Sequence, residues 1–472
     1  MRRLAVVIAG ALLWSFPGRA VAQSEAPSPD RALARDILRE LVEINTTDSL
    51  GNTPRAARAM ARRLVAAGFP AADVRVLIGP DAKHGNLVAR YRGTGTGGRP
   101  IIGFAHLDVV PARRVDWSVD PFSFLEQDGY FYGRGTTDDK VGDAILVADF
   151  IRLKRAGFKP RRDLIIVLTG DEETAGSCIG WLVNQHRDLI DAEFALNTDA
   201  GGGVLRDGRR VMFAVQASEK VYATYALEAT DKGGHSSLPR PADNPVYRLA
   251  PALGRLAAYQ FPVKLNEVSR GFFERSAALE TGALAEDMRG VLKDPPDSAA
   301  VAHLSAVPFY NSKLRTTCVA TMMEAGHAEN ALPQSARATV NCRILPGEPA
   351  AEVTATLERL AADDRIALRT VYAPIPSPPS PLTPAIMGPI ERLVAEQFPS
   401  VPIVPVMEAG ATDGLFLRNA GIPTYGVSAV FEEQNDVRAH GRDERLRVQS
   451  FYEALEFWYR MMQAYASDRL TQ

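Results

Sequence analysis

At 472 residues, 46% hydrophobic and 23% charged, the chain is long enough for large buried cores and too long for one typical domain, so two domains are expected. A formal net charge of −2 excludes an electrostatic nucleic-acid partner. Three cysteines are too few for a disulfide framework or a thiolate zinc site.

In chain order, residues 1–22 read as a secretory signal. Basic Arg2 and Arg3 precede an apolar run from Leu4 to Trp14, and Ala20-Val21-Ala22 is a small-x-small cleavage site. The apolar run is far below the ~20 residues needed to cross a bilayer, and no later stretch reaches that length, so no membrane span is expected. Cleavage near Ala22 implies a periplasmic or secreted protein. Losing Arg2, Arg3 and Arg19 with the signal leaves the mature chain three charges more negative.

From residue 30 to 214, apolar runs that read as buried strands alternate with helical patterns, the rhythm of an α/β sheet. The stretch Gly93 to Gly98 matches a dinucleotide-binding pattern, but Arg99-Pro100 and a strand follow where that motif needs a helix, so it reads as a turn. The strand within Pro100 to Val110 carries His106-Leu107-Asp108 at its end. A period of two puts the imidazole and carboxylate on one side, where an acid can orient a metal-binding histidine; a satisfied surface pair is the alternative. The turn Gly133-Arg134-Gly135-Thr136-Thr137-Asp138-Asp139-Lys140 presents an acidic pair before the helix Val141 to Arg155. Asp138 there suits either helix capping or a carboxylate bridging two cations.

The strand in Asp163 to Thr169 then runs into Asp171-Glu172-Glu173, three acids whose mutual repulsion is costly unless cations neutralise them or water solvates the turn. Asp199 repeats the device after the apolar Phe194-Ala195-Leu196.

Residues 215–378 change character, with alternating strands at Tyr222 to Ala229, Cys318 to Glu324 and Ala338 to Leu345 and helices at Asn244 to Tyr259 and Ala350 to Ala362. That order suits a small α+β sandwich inserted in the first domain. Asn266 to Asp297 reads as a helical excursion. Cys318 and Cys342 lie in neighbouring strand-like segments and could pair in an oxidising compartment, though free buried thiols are the default. The proline-rich Pro374 to Pro379 reads as a linker into residues 379–472, where His440 precedes the last helix. The order His, Asp, Glu, Asp, His supplies enough imidazole and carboxylate ligands for two zinc ions sharing one acid.

These segments resemble the di-zinc metallopeptidase family that includes glutamate carboxypeptidase, aminoacylase, acetylornithine deacetylase and succinyl-diaminopimelate desuccinylase. The similarity runs from about residue 30 to the end. His106 to Pro111, Asp116-Trp117, Asp120-Pro121-Phe122 and the Gly-Arg-Gly and Asp-Asp-Lys block most resemble its carboxypeptidase S and aminoacylase branch.

The resemblance implies a mixed, largely parallel sheet with helices on both faces, zinc exopeptidase-like, and an inserted α+β ferredoxin-like lid and dimerisation domain giving a homodimer. It implies that His106, Asp138 and Asp199 hold one zinc and Asp138, Glu173 and His440 the other. Cobalt or manganese are possible substitutes at such ligands. Asp108 would orient His106, and Glu172 would be the general base. His235, in Gly233-Gly234-His235-Ser236-Ser237, would stabilise the oxyanion, while Asn330 and Arg343 would bind substrate. Three positions depart from the pattern: Asp199 where glutamate is common, Val141 where glycine is usual, and Leu415 where relatives place arginine.

The expected function is hydrolysis of the amide bond of small peptides by activated water. The alternatives are an N-acyl-amino-acid deacylase and, from another class, an inactive peptide-binding protein. The presence of Glu172 and all five proposed ligands speaks against the last.

Overall fold

The computed structural model describes residues 28–467 apart from Pro80 and Ala175; the expected signal segment lies outside the described residues. A ten-stranded sheet forms the frame. From one edge it runs Val74–Ile78, Gly85–Tyr91, Leu164–Thr169, Ile101–His106, Phe194–Asn197, Thr424–Gly426, Arg209–Glu219, Gly202–Arg206 and Phe431–Glu433, with Ile403–Glu408 paired to Arg209–Glu219 off this path.

The four strands from Leu164–Thr169 to Thr424–Gly426 pair in parallel. They are buried along their whole length, which is why they read as continuous apolar runs. The period of two still sorts their side chains. Ile101, Ala105, Leu164, Ile166 and Leu168 join the core under the helices Pro29–Glu43, Lys140–Arg155 and Val448–Ser467. Ile102, Phe104, Ile165 and Val167 point the other way, onto Ile179 and Leu182 of Ser177–Gln185 and Leu417 of Gly414–Asn419. The stretch Gly93 to Gly98 is a turn, packed so closely on the Arg161–Arg162 backbone that a Cβ on Gly93 would lie 2.5 Å from the Arg162 carbonyl carbon.

A second, antiparallel sheet orders Thr317–Ala325, Ser335–Ile344, Val221–Thr230 and Ile366–Tyr372. Helices Pro245–Ala258 and Ala350–Ala361 supply Leu249, Leu256, Val353 and Leu357 to its core. Numbered along the chain, its strands lie in the order 4-1-3-2 with a βαββαβ connection, the ferredoxin-like arrangement. The helices between residues 267 and 314, inside the inserted span, return to the large sheet: Phe272 and Phe273 pack with Ala214, Val404 and Val406. The proline-rich segment is anchored, since the buried Ser377 hydroxyl donates to Glu219 at 3.0 Å.

The default of free thiols is corrected for two of the three cysteines. Cys318 and Cys342 occupy opposed register positions with their Cα atoms 4.1 Å apart, and they form a disulfide. Cys178 is buried and free.

Candidate metal centre

The register aligns His106 with Thr169 and Phe104 with Asn197, so the segments that follow these parallel strands emerge side by side at one edge of the sheet. That edge, the carboxyl end, is where open α/β sheets place their sites. His106 is 2% exposed; its Nδ1 donates to the Asp108 carbonyl at 3.1 Å, which turns Nε2 outward, 3.0 Å from Asp138 Oδ1 and 3.8 Å from Asp199 Oδ1.

The main chain and the carboxylate of Asp108 both face that ring. That carboxylate lies 3.6 Å from Nδ1 and also accepts the backbone amides of Glu172 at 3.1 Å and Glu173 at 3.0 Å. Asp108 thus orients the imidazole through its main chain and the acidic loop through its side chain.

Asp138 spans two imidazoles: its other oxygen, Oδ2, lies 3.0 Å from His440 Nε2, which is also 3.0 Å from the Glu173 carboxylate. Ligand atoms of His106, Asp138 and Glu173 lie within 4.8 Å of one another, and so do those of His106, Glu172 and Asp199. Asp199 is held by its own loop. Its N–H donates to Asn197 Oδ1 at 3.1 Å, and the preceding Thr198 hydroxyl donates to Asp139 at 2.6 Å. Thr198 fits only because residue 142 is glycine: a Cβ there would lie 1.9 Å from the Thr198 hydroxyl oxygen.

The electrostatics describe a cluster short of positive charge. Burial, reinforced by the Asp199 charge, pushes the Glu172 carboxyl well above its ordinary range. Burial and the Asp138 charge raise Asp199 to about 7. Burial opposes protonation of His106, but Asp108, Asp138 and Asp199 outweigh it and hold the ring well above 6.5. Hydrogen bonds to Asp138 and Glu173 hold His440 at about 10. Two imidazoles and four carboxylates converging on a single shared acid fit a pair of divalent cations, which would relieve the repulsion that the imidazoles alone must offset. Among the described residues, the Glu172 carboxylate has no protein hydrogen-bond donor, which leaves it available to a substrate or water.

The remaining expected residues make their hydrogen bonds outside this cluster. His235 and Asn330 are exposed beside a ribbon formed by Gly234–His235 and Ala331–Leu332. His235 Nδ1 accepts from the Ser237 amide, and the Asn330 carbonyl accepts from the Ser236 amide. Among the described residues, no hydrogen bond or ion pair joins either side chain to the candidate metal ligands. Arg343 comes closer. Its guanidinium stacks on Tyr222 with 4.7 Å to the ring centroid and donates to the Ala409 carbonyl at 3.3 Å. Ala409 opens the loop that carries Asp413, and Asp413 accepts the Thr169 hydroxyl at 2.6 Å. Arg418, one turn beyond Leu415, is spent on a buried pair with Glu219 at 2.8 Å. Arg134 and Glu444 are both buried beside the candidate ligands, and their pairing is not legible in sequence because no local pattern links residues 310 positions apart.

Fold, candidate site and the family that residues 104–464 match together define a metal-dependent hydrolase acting on C–N bonds. Residues 104–464 match Peptidase family M20/M25/M40, and the chain belongs to that family. It is 30% identical over 381 residues to the human N-fatty-acyl-amino acid synthase/hydrolase PM20D1, covering 79% of this chain and 75% of that protein. It is 29% identical over 388 residues to the probable carboxypeptidase S-like 2 of Dictyostelium discoideum, covering 80% and 74%. The M20 family metallo-carboxypeptidase Sso-CP2 from Sulfolobus solfataricus superposes with a TM-score of 0.68 at 18% identity, over 92% of this chain and 99% of that one.

Proposed function

We propose that this protein is an exported di-zinc amidohydrolase that cuts the amide bond next to the carboxyl-terminal residue of small peptides. The observation that carries the reading is the Asp138 carboxylate set between His106 and His440, with the unpartnered Glu172 on the same cluster. His106, Asp138 and Asp199 would hold one ion and Asp138, Glu173 and His440 the other. Bound zinc supplies Lewis acidity that polarises the scissile carbonyl and acidifies water.

The chain's own groups do the rest. Glu172, whose affinity for a proton is raised by burial and by Asp199, takes a proton from the attacking water and delivers it to the departing amine nitrogen. Asp108 fixes the two amides from which Glu172 and Glu173 project, so the base is held on a rigid loop. Arg343 is the candidate grip for the substrate carboxylate, and Asn330 and His235 would complete the site from the smaller sheet acting as a lid. A deacylase acting on N-acyl amino acids is the second reading, favoured by the 30% identity to an N-fatty-acyl-amino acid hydrolase. Both substrates present an amide joined to an amino acid with a free carboxylate.

The test uses Glu172→Gln protein with its metal measured. It should keep both equivalents of zinc and lose about 10²–10⁴ in turnover on a panel of dipeptides and N-acyl amino acids. Near-wild-type turnover with zinc retained would reject the assignment, and the preferred half of the panel decides between peptidase and deacylase.

A further inference from the structure

Glu444 takes no part in the chemistry above, yet it is fully buried and its carboxylate is crowded with donors. One oxygen accepts from Arg134 Nη1 at 2.7 Å and the Gly135 amide at 3.0 Å. The other accepts from the Thr137 amide at 2.7 Å, the Thr137 hydroxyl at 2.9 Å and the Asp138 amide at 3.2 Å. Arg134, 2% exposed, sends its Nη2 back to the carbonyls of His440 at 3.4 Å and Gly441 at 2.9 Å and lies over the Trp117 ring, 5.0 Å from its centroid.

The arrangement is reciprocal. Arg134 precedes Asp138 by four residues and grips the main chain of His440, while Glu444 follows His440 by four residues and grips the main chain of Asp138. Each loop's ligand is therefore held by the opposite loop's charge. The main chain of His440 needs such a hold: it sits in the left-handed region at φ +61° with its side chain 55% exposed, and its ring is fixed at the other end by Asp138 and Glu173.

We propose that Arg134 and Glu444 are positioning residues that set the spacing between Asp138 and His440, and so govern the affinity of the metal position formed by Asp138, Glu173 and His440. This rests on the two-ion reading above. The other position shares Asp138 but draws otherwise on His106 and Asp199, which are fixed by Asp108, Asn197 and Asp139 instead, and it loses less than the position that depends on both clasped loops. Outer partners of metal ligands are worth about 10–100-fold in affinity.

The test titrates metal-free protein with zinc by calorimetry and chelator competition, comparing the wild type with Glu444→Gln and Arg134→Lys. A glutamine can accept from the Thr137 side but turns an NH₂ toward Arg134. A lysine keeps the charge but cannot reach Glu444 and both carbonyls together. Both variants should weaken one equivalent at least about tenfold and the other clearly less.

Arg162→Gln serves as the control, because it breaks a different pair of a buried arginine, with the half-exposed Glu193 at 2.8 Å, and should keep both equivalents. Should Glu444→Gln not fold, Arg134→Lys carries the comparison alone. Two equivalents bound with wild-type affinity, or an equal weakening of both, would overturn the clasp. If the wild type takes up fewer than two equivalents, the two-ion reading itself has failed, an outcome distinct from failure of the clasp.

Discussion

Lys220 is a single residue between two sheets. The large-sheet strand ends at Glu219, the small-sheet strand begins at Val221, and the Lys220 ammonium is enclosed between them, donating to the Arg315 carbonyl at 2.6 Å. Burial first, and then repulsion from Lys313 and Arg343, lower its pKa from 10.5 to about 7. Between those two values the unfolded chain binds the proton that the folded chain has released, so the contribution of Lys220 to stability rises with pH across that window and is at its worst below it. Lys220→Met should therefore stabilise the protein by about 1 kcal/mol or more near neutrality and remove the pH slope, a gain typical of replacing a buried charge. Urea unfolding of both proteins at about pH 7 and about pH 9 measures this. Equal slopes in the two would show that Lys220 is charged and solvated.

The residues readable in sequence were those whose position follows from one strand. His106, Glu172 and Asp199 each follow an apolar run, and a parallel sheet delivers the ends of such runs to one place. Their surroundings were not readable. Whether Asp108 offers its carbonyl or its carboxylate to His106 depends on where the Glu172 and Glu173 amides fall, which only the register decides. His235 and Asn330 matched by motif alone, and among the described residues no hydrogen bond ties their ribbon to the candidate ligands.

At the scale of elements, the strand Thr317–Ala325 stands out as an edge of the small sheet with Val319, Met322 and Met323 exposed at 61%, 59% and 50%. A groove of about 530 Å³ beside it is lined by Leu253, Leu256, Tyr259 and Phe261. An unpaired edge carrying apolar side chains is a template for another strand, and natural proteins rarely leave one bare. The homodimer that the family resemblance implies would use this edge. Sedimentation velocity should find a dimer for the wild type and a monomer for the Val319→Lys, Met322→Glu double variant. A wild type that sediments as a monomer at micromolar concentration removes that expectation. The pairing of Cys318 with Cys342 fixes this edge strand to its inner neighbour. The sequence put the two cysteines in adjacent segments, but opposed register is a tertiary fact, so the thiol state stayed open there.

For the whole molecule, two sheets with separate cores were foreseeable from the change of strand character near residue 215. The helices from 267 to 314 were not assignable, because an amphipathic pattern shows that a face is buried and not which sheet buries it. Export is likewise a property of the entire chain. We expect the mature protein to begin at Gln23 and to carry one disulfide, which amino-terminal sequencing and intact mass before and after reduction would check. An amino terminus that still includes the Leu4 to Trp14 run would contradict export by cleavage.

The distance along the chain between Asp138 and His440 has a consequence for biosynthesis. A polypeptide made from its amino terminus acquires His106, Asp138, Glu172, Glu173 and Asp199 early, yet Arg134 has no partner until Glu444 has been added almost at the end. Until then the ribosome-bound chain lacks the last imidazole, and a truncated product would be mute toward peptides however well its first sheet had formed.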